Sequence, residues 1–309
     1  MNTEREPSRL DRGHIRRSFE RAAATCDAAA VLQREVGTRM AERLGVIRLE
    51  PATILDAGCG TGEALGELAT RFPGARLIGL DLAWNMVGTA RAKTAPAGTG
   101  TRSLLTRLLG GSGVARSVAP QFLCADIAAL PLAAVSVDLV WSNLALQWID
   151  EPGVAFAEFR RVLAVGGLLS FTTFGPDTLR ELRAAFATVD HATHISRFID
   201  MHDLGDMLVH AGFADPVMDM ETLTLTYADA NALMRELKAL GAHNATSARP
   251  RGLMGRDRWR RMLAALERFR RDGRLPASFE VIYGHAWKAA PRVAADGRAI
   301  LQFTPPGSR

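Results

Sequence analysis

The chain has 309 residues, of which 48% are hydrophobic, and a formal net charge of +5 at pH 7. This length permits a full hydrophobic core in one large domain, and the composition is ordinary for a globular protein. No apolar run approaches the ~18 residues of a membrane-spanning helix and the N-terminal region is highly charged, so we expect a soluble, cytoplasmic protein with no membrane partner.

The first elements in the chain are helices predicted within residues 1–50. Apolar residues recur at steps of four to five positions between Val31 and Leu44, which predicts a helix with one apolar stripe. After Pro51, strands and helices alternate, which predicts a parallel sheet with helices on both faces. The predicted strands are 53–57, 76–81, 121–125, 138–142 and 167–174, and the predicted helices are 62–72, 84–93 and 152–163. The glycine-rich residues 94–120 are interpreted as a flexible insertion.

The last third of the chain is predicted to add helices and two further strands. Residues 175–215 are predicted to be largely helical, and strands are predicted at 218–227 and 279–288. Apolar residues from Trp259 to Phe269 share one face of a predicted helix whose other face is rich in arginine.

A glycine-rich turn follows the first predicted strand, where residues Asp56 to Gly62 read Asp-Ala-Gly-Cys-Gly-Thr-Gly. Such a turn lets the backbone approach a ligand at a helix N-terminus. The spacing does not complete a dinucleotide fingerprint, and the Gly-Lys-Ser/Thr of a phosphate-binding loop is absent. The segment resembles motif I of S-adenosylmethionine-dependent methyltransferases, in which the acidic residue faces the methionine end of the cofactor. An ordinary glycine-rich turn is the alternative.

Acidic residues end two further predicted strands. Asp81 ends the second strand, where a carboxylate can accept both hydroxyls of a ribose. Asp126 ends the third strand, and the corresponding acid in class I methyltransferases accepts from the adenine amino group, with Ile127 beside the ring. The carboxyl ends of parallel strands meet at one edge of a sheet, so we expect Asp56, Asp81 and Asp126 to line one site. Each acid alone would more simply cap a helix or form a turn.

Basic residues are concentrated in one region. Residues 235–274 contain twelve Arg or Lys and four acids, a local charge of +8, which leaves the rest of the chain slightly acidic. This charge indicates an acidic partner, although a solvated helix face produces the same pattern. The region has few aromatic residues and no RNA-binding signature, so nucleic acid is not expected as a partner.

Several segments outside the glycine turn carry a more specific resemblance. They are Phe19-Glu-Arg-Ala-Ala-Ala24, Leu32-Gln-Arg-Glu35, Trp141-Ser-Asn-Leu-Ala-Leu-Gln-Trp148, Phe174-Gly-Pro-Asp-Thr-Leu-Arg-Glu-Leu182, Arg197-Phe198, Leu237-Lys-Ala-Leu-Gly-Ala242 and Gly273-Arg-Leu-Pro276. From about residue 14 to 288, the chain resembles BioC, the carboxyl methyltransferase family of biotin synthesis.

This resemblance implies a fold, a reaction and a partner. The fold is a class I methyltransferase fold, a Rossmann-like, doubly wound α/β sheet with N-terminal helices and helical lid insertions. The reaction is methylation of the free carboxylate of malonyl-acyl carrier protein by S-adenosyl-L-methionine, an early step of biotin synthesis. We therefore divide the chain into an N-terminal helical cap (1–50), a cofactor-binding core (51–174), a region of lid helices, remaining strands and a basic docking surface (175–288), and a polar tail (289–309).

The resemblance also implies which residues form the site. The candidate cofactor-binding residues are Asp56, Gly58, Cys59, Gly60, Gly62, Asp81, Leu82, Asp126, Ile127, Asn143 and Leu144. Gln147 and Arg197 are the candidate catalytic residues. Arg197 is a candidate clamp for the malonyl carboxylate, with a surface ion pair as the alternative. No metal site is expected, because Cys26, Cys59 and Cys124 are far apart and have no metal-ligand spacing.

The chain departs from the family pattern at one position. Where family members commonly have a tyrosine followed by an acid, this chain has Cys26 and Asp27, which puts the way the lid closes in doubt. Three other functions are considered. First, residues 174–288 also look like complex I assembly factors that hydroxylate an arginine. Second, a quinone or small-molecule C-methyltransferase would share the cofactor-binding core. Third, so would a non-enzymatic scaffold that binds the cofactor.

Overall fold

The computed structural model describes residues 9–95, 119–250, 252 and 254–290. Most of the predicted insertion at 94–120 and the tail from residue 291 lie outside these described residues. The strands are β1 (Thr53–Ala57), β2 (Arg76–Asp81), β3 (Gln121–Cys124), β4 (Val137–Ser142), β5 (Leu163–Phe174), β6 (Ala214–Tyr227) and β7 (Leu275–Trp287). They form one sheet in the order β3-β2-β1-β4-β5-β7-β6. β1 to β5 are parallel, and β7 runs antiparallel between β5 and β6.

Helices cover both faces of this sheet, as the alternating pattern predicts. They are α1 (Arg12–Ala22), α2 (Cys26–Ala29), α3 (Val31–Arg43), α4 (Glu63–Arg71), α5 (Trp84–Thr94), α6 (Pro152–Val162), α7 (Arg180–Ala187), α8 (Met201–His210), α9 (Ala230–Ala239) and α10 (Arg256–Glu267). One core packs α3, α4, α7, α9 and α10 on one face, and a second core packs α6 and α8 on the other. The class I methyltransferase fold is therefore confirmed.

The C-terminal part differs in detail from the sequence prediction. β7 begins at Leu275, four residues earlier than predicted, because it pairs with β6 from Tyr227 onward. The segment 175–215 holds two separate helices, α7 and α8, with no helix between residues 188 and 200. In the part of the chain that the structure describes, no helix is long and apolar enough to cross a membrane.

Ion pairs fix α3 to the far edge of the sheet. Arg39 donates to Glu221, and the guanidinium of Arg43 donates to Asp219 at 2.7 Å. Arg43 also stacks on the ring of Tyr283, 3.7 Å from its centroid. These contacts join the N-terminal cap to β6 and β7 and thereby hold α3 above the carboxyl edge of the sheet.

Candidate active site

A cavity of about 440 Å³ lies at the carboxyl edge of β1 to β4, beneath α1, α2 and α3. Asp56, Asp81 and Asp126 all line it, so the three predicted strand-end acids are brought together. The other predicted site residues that line it are Gly58, Cys59, Gly60, Leu82, Ile127, Asn143, Leu144 and Gln147, and Trp148 lines it as well. Gly62 and Arg197 do not line the cavity.

The glycine turn has the left-handed backbone that its sequence requires. Gly58 has φ +89°, and a Cβ there would stand 2.4 Å from the Cβ of Ala145. Gly60 has φ +52°, and a Cβ there would meet no atom within 4 Å. Its N–H donates to Oδ2 of Asp81 at 3.0 Å. The turn therefore packs closely against the β4 loop at Gly58 and leaves room for a ligand at Gly60.

Asp56 is buried at the floor of the cavity, and the half-buried Asp81 lies near it. Burial, with a smaller contribution from the charge of Asp81, raises the pKa of Asp56 to about 8. Its Oδ2 is buried without a hydrogen-bond partner. Burial raises the pKa of Asp81 to about 6. Hydrogen bonds from the N–H groups of Ala83 and Gly60 act in the opposite direction and limit this rise. Carboxyl groups held in this way favour a ligand that brings a positive charge and hydroxyl donors.

Asp126 lies at the other end of the cavity. Its Oδ1 accepts from the N–H of Ala128 at 2.8 Å, and the guanidinium of Arg12 from α1 lies beside Oδ2. Ile127 and Leu82 provide apolar surface next to it. An acceptor flanked by apolar side chains suits a flat heterocycle with an amino group, as the sequence predicts.

The segment after β4 is held by a side-chain network. Thr172 of β5 donates to Oδ1 of Asn143 at 2.7 Å and accepts from the N–H of Leu144 at 2.9 Å. Asn143 in turn donates to the carbonyl oxygen of Gln33 on α3 at 3.0 Å. Leu144 has φ +50°, a conformation that costs a residue other than glycine roughly 1–2 kcal/mol. The network thus maintains a strained backbone and joins the core to the cap.

Gln147 and Arg197, the two candidate catalytic residues, have different positions. Gln147 lines the cavity, donates to the carbonyl oxygen of Leu144 at 2.7 Å and accepts from Thr173 at 3.3 Å. These bonds position the Gln147 amide at the cavity wall. Arg197 is exposed and away from the cavity, and the guanidinium of Arg183 donates to the carbonyl oxygen of the neighbouring Ser196 at 3.5 Å.

Among the cavity residues that were not predicted from the sequence, Arg34, Gln33 and Trp141 offer polar groups to a ligand. Arg34 is the one arginine or lysine among the described lining residues. Gln33 and Trp141 also line the cavity, and Oε1 of Gln33 and Nε1 of Trp141 are buried without hydrogen-bond partners. The segments Leu32-Gln-Arg-Glu35 and Trp141-Ser-Asn contain all three, but nothing in their sequence shows that these side chains face the ligand.

The cap is fastened to the glycine turn through Asp27. Its carboxylate accepts from the hydroxyl of Thr61 and pairs with Lys93 of α5 at 2.6 Å. Cys26 is buried beside it, with Sγ 3.9 Å from Sδ of Met86, and burial raises the pKa of its thiol. Asp27 therefore holds α2 in place. At the neighbouring position, where family members commonly have a tyrosine, Cys26 provides no hydroxyl.

Comparison with known proteins identifies the family. Residues 55–171 match the methyltransferase domain family. The malonyl-[acyl-carrier protein] O-methyltransferase of Laribacter hongkongensis is 56% identical over 298 residues, which cover 96% of both chains. The protein of the same name from Legionella pneumophila is 36% identical over 92% of this chain and 93% of its own. The chain belongs to the malonyl-[acyl-carrier protein] O-methyltransferase family.

Solved structures of low sequence identity share the fold. YcgJ from Bacillus subtilis has 14% identity, a TM-score of 0.53 and coverage of 83% of this chain and 99% of its own. The [4+2]-cyclase SpnF has 17% identity, the same TM-score, and coverage of 92% and 99%. These likenesses confirm the architecture of the methyltransferase family member described here.

The cofactor of this methyltransferase is S-adenosyl-L-methionine, and the cavity fits it. Unpartnered acceptors on Asp56 and Gln33 suit the ammonium group of its methionine part, whereas the donors of Arg34 and Trp141 suit its carboxylate. The acceptors of Asp81 and Asp126 suit a ribose and an adenine. Among the described residues, no group of three or more His, Cys, Asp or Glu side chains is arranged to hold a metal ion.

Proposed function

We propose that the chain methylates the free carboxylate of a malonyl group carried as a thioester on acyl carrier protein. The observation that carries this proposal is the 56% identity to a malonyl-[acyl-carrier protein] O-methyltransferase over 96% of the chain, together with a cavity that fits the methyl donor. The same identity supports it over the arginine hydroxylase and quinone methyltransferase alternatives. Its place early in biotin synthesis rests on the family resemblance alone.

The reaction requires little acid–base chemistry from the protein. S-adenosylmethionine supplies an electrophilic methyl group on a sulfonium. A carboxylic acid of ordinary pKa is already ionised at pH 7, so no general base is needed to create the nucleophile. In agreement with this, no histidine is among the described residues that line the cavity.

The protein contributes by binding the two reactants, by aligning them and by excluding water from them. The strand-end acids and the glycine turn bind the cofactor, and the cap covers it. The rings of Phe19 from α1 and Trp148 meet edge to face at the cavity, 5.1 Å between centroids. These aromatic surfaces would desolvate the acceptor carboxylate. Neither α7 nor α8 of the segment 175–215 lines the cavity, so the cap that the structure describes comes from α1 to α3 and from Leu240 and Ala242.

Incubation with malonyl-carrier protein and isotopically labelled S-adenosylmethionine tests the proposal. We expect a mass gain of about 14 on the malonyl group and a carboxyl methyl ester that releases methanol on alkaline hydrolysis. With cofactor at saturation, the rate constant should stay level between pH 6 and pH 8, because the acceptor is ionised throughout. A mass gain of about 16 on a protein arginine, or a rate that follows one group near neutrality, would contradict the proposal.

A further inference from the structure

Two basic helices meet beside the cavity. Ile15 and Phe19 of α1 line one side of it, and Leu240 and Ala242, which follow α9, line another. Gly241, just after α9, lies against Ser18, Phe19 and Ala22 of α1. The hydroxyl of Thr25, just after α1, donates to the carbonyl oxygen of Ala239 at 2.9 Å.

Cations converge at this junction without carboxylate partners. Arg17, Arg21, Arg235 and Lys238, here termed the rim cations, are exposed, and no ion pair of theirs is found among the described residues. The imidazoles of His14 and His243 lie 6.3 Å apart between them. Burial lowers the pKa of both histidines. Arg249, Arg17 and Arg21 lower it further at His14, where Asp11 opposes them. His14, Arg21 and Lys238 lower it further at His243.

Helix α10 provides the other part of the basic region, but it lies elsewhere. It packs against α7 and buries Met262 and Leu266, and none of its residues lines the cavity. Part of its charge is neutralised locally, since Arg260 pairs with Asp257 at 3.3 Å and Arg258 approaches Asp190 at 4.0 Å. The structure therefore divides the basic segment 235–274 into an α9 part beside the cavity and an α10 part away from it.

We propose that the carrier protein docks on the α1–α9 rim, with its acidic surface against Arg17, Arg21, Arg235 and Lys238. This proposal rests on the proposed function and specifies where its partner binds. Docking there places the carrier beside the cavity that fits the cofactor. Exposed charge pairs contribute little individually, so the rim should act mainly through the association rate and its salt dependence.

Matched charge changes on the two parts of the basic region test this proposal. The rim variant carries Arg17→Gln, Arg21→Gln and Lys238→Gln, and the control carries Arg256→Gln, Arg261→Gln and Arg268→Gln on and just after α10. Each removes three positive charges from exposed side chains. Substrates are malonyl-carrier protein and S-malonyl-N-acetylcysteamine, which has the acceptor and the thioester but no carrier. Circular dichroism and the affinity for S-adenosylhomocysteine verify folding.

We expect the rim variant to raise KM for malonyl-carrier protein about tenfold at low ionic strength, with a difference that shrinks in 0.3 M salt. KM for the small thioester should change less than twofold, and the control should change neither. A larger effect of the control, equal effects of both variants, or an equal loss on the small thioester would overturn the rim as docking surface. Failure of the wild-type chain to methylate either malonyl substrate would instead contradict the proposed function.

Discussion

Asp81 offers the sharpest test of the cofactor site, because a second aspartate makes the same kind of contact away from it. Oδ2 and Oδ1 of Asp81 accept from the N–H groups of Gly60 and Ala83 at 3.0 and 2.9 Å. At the opposite edge of the sheet, Asp138 accepts from the N–H groups of Ala52 and Thr53 at 3.0 and 2.9 Å. Each aspartate thus holds two backbone donors, and only Asp81 lines the cavity.

The change Asp81→Ala should weaken cofactor binding far more than it weakens the fold. Two hydrogen bonds to a charged acceptor are worth about 3–6 kcal/mol in total. The raised pKa of about 6 shows that desolvation of the charge outweighs these hydrogen bonds, so the substitution also relieves a desolvation penalty. The free energy of unfolding should therefore fall by only about 0–3 kcal/mol, less than the loss of the hydrogen bonds alone would give. Each ribose hydroxyl bond lost weakens binding by about 1.5–3 kcal/mol, tenfold or more in Kd.

Isothermal titration calorimetry with S-adenosylhomocysteine and urea unfolding measure the two effects. Asp138→Ala is the matched control: by the same two bonds it should lower stability by about 3–6 kcal/mol and leave the Kd within about twofold. An unchanged Kd for Asp81→Ala, or equal losses of affinity in the two variants, would show that Asp81 supports the glycine turn without contacting the cofactor.

Three further predictions concern the cavity. Because the pKa of Asp56 is raised to about 8, stability should decline as pH rises from about 4 to about 8, and Asp56→Asn should remove that decline. Binding of S-adenosylhomocysteine at pH 7 should release close to one proton, seen as a buffer-dependent enthalpy that Asp56→Asn abolishes. Arg34→Gln should weaken the binding of S-adenosylhomocysteine at least about tenfold and leave the binding of methylthioadenosine, which lacks the carboxylate, unchanged. Equal losses of affinity for both ligands would contradict this role. The control is Arg48→Gln, at an exposed arginine outside the cavity. Cys26→Tyr should lower the free energy of unfolding by about 1–3 kcal/mol, because the new ring displaces Met86. An unchanged melting temperature would show that the tyrosine ring turns into the cavity instead.

The strand-end acids could be predicted from the sequence because local rules determine their positions. Each of Asp56, Asp81 and Asp126 follows a short apolar run, and parallel strands bring their carboxyl ends to one edge. The glycine spacing likewise predicted the turn geometry at Gly58 and Gly60. Such features depend on residues within one strand and one turn.

The cap residues could not be predicted in this way, because their positions depend on contacts between distant segments. Arg34 faces the cavity only because α3 is oriented by Asn143 below it and by ion pairs to β6. Arg197 was interpreted as a clamp, yet it lies between α7 and α8 and its side chain is exposed. For the same reason the net charge of 235–274 could not show which of its helices lies beside the cavity.

The ion pairs between α3 and β6 also bear on the order in which the chain can assemble. Arg39 and Glu221 are 182 positions apart, and Arg43 and Asp219 are 176 apart. During synthesis, β1 to β5 are complete before either acid has been made. The cap already has the bonds of Asp27 to Thr61 and Lys93, but α3 cannot gain its second anchor until the C-terminal strands pair. Contacts this distant in sequence form late, after local structure. A growing chain therefore has its binding strands before it has a closed site, and the methyl donor can be enclosed only by a nearly finished protein.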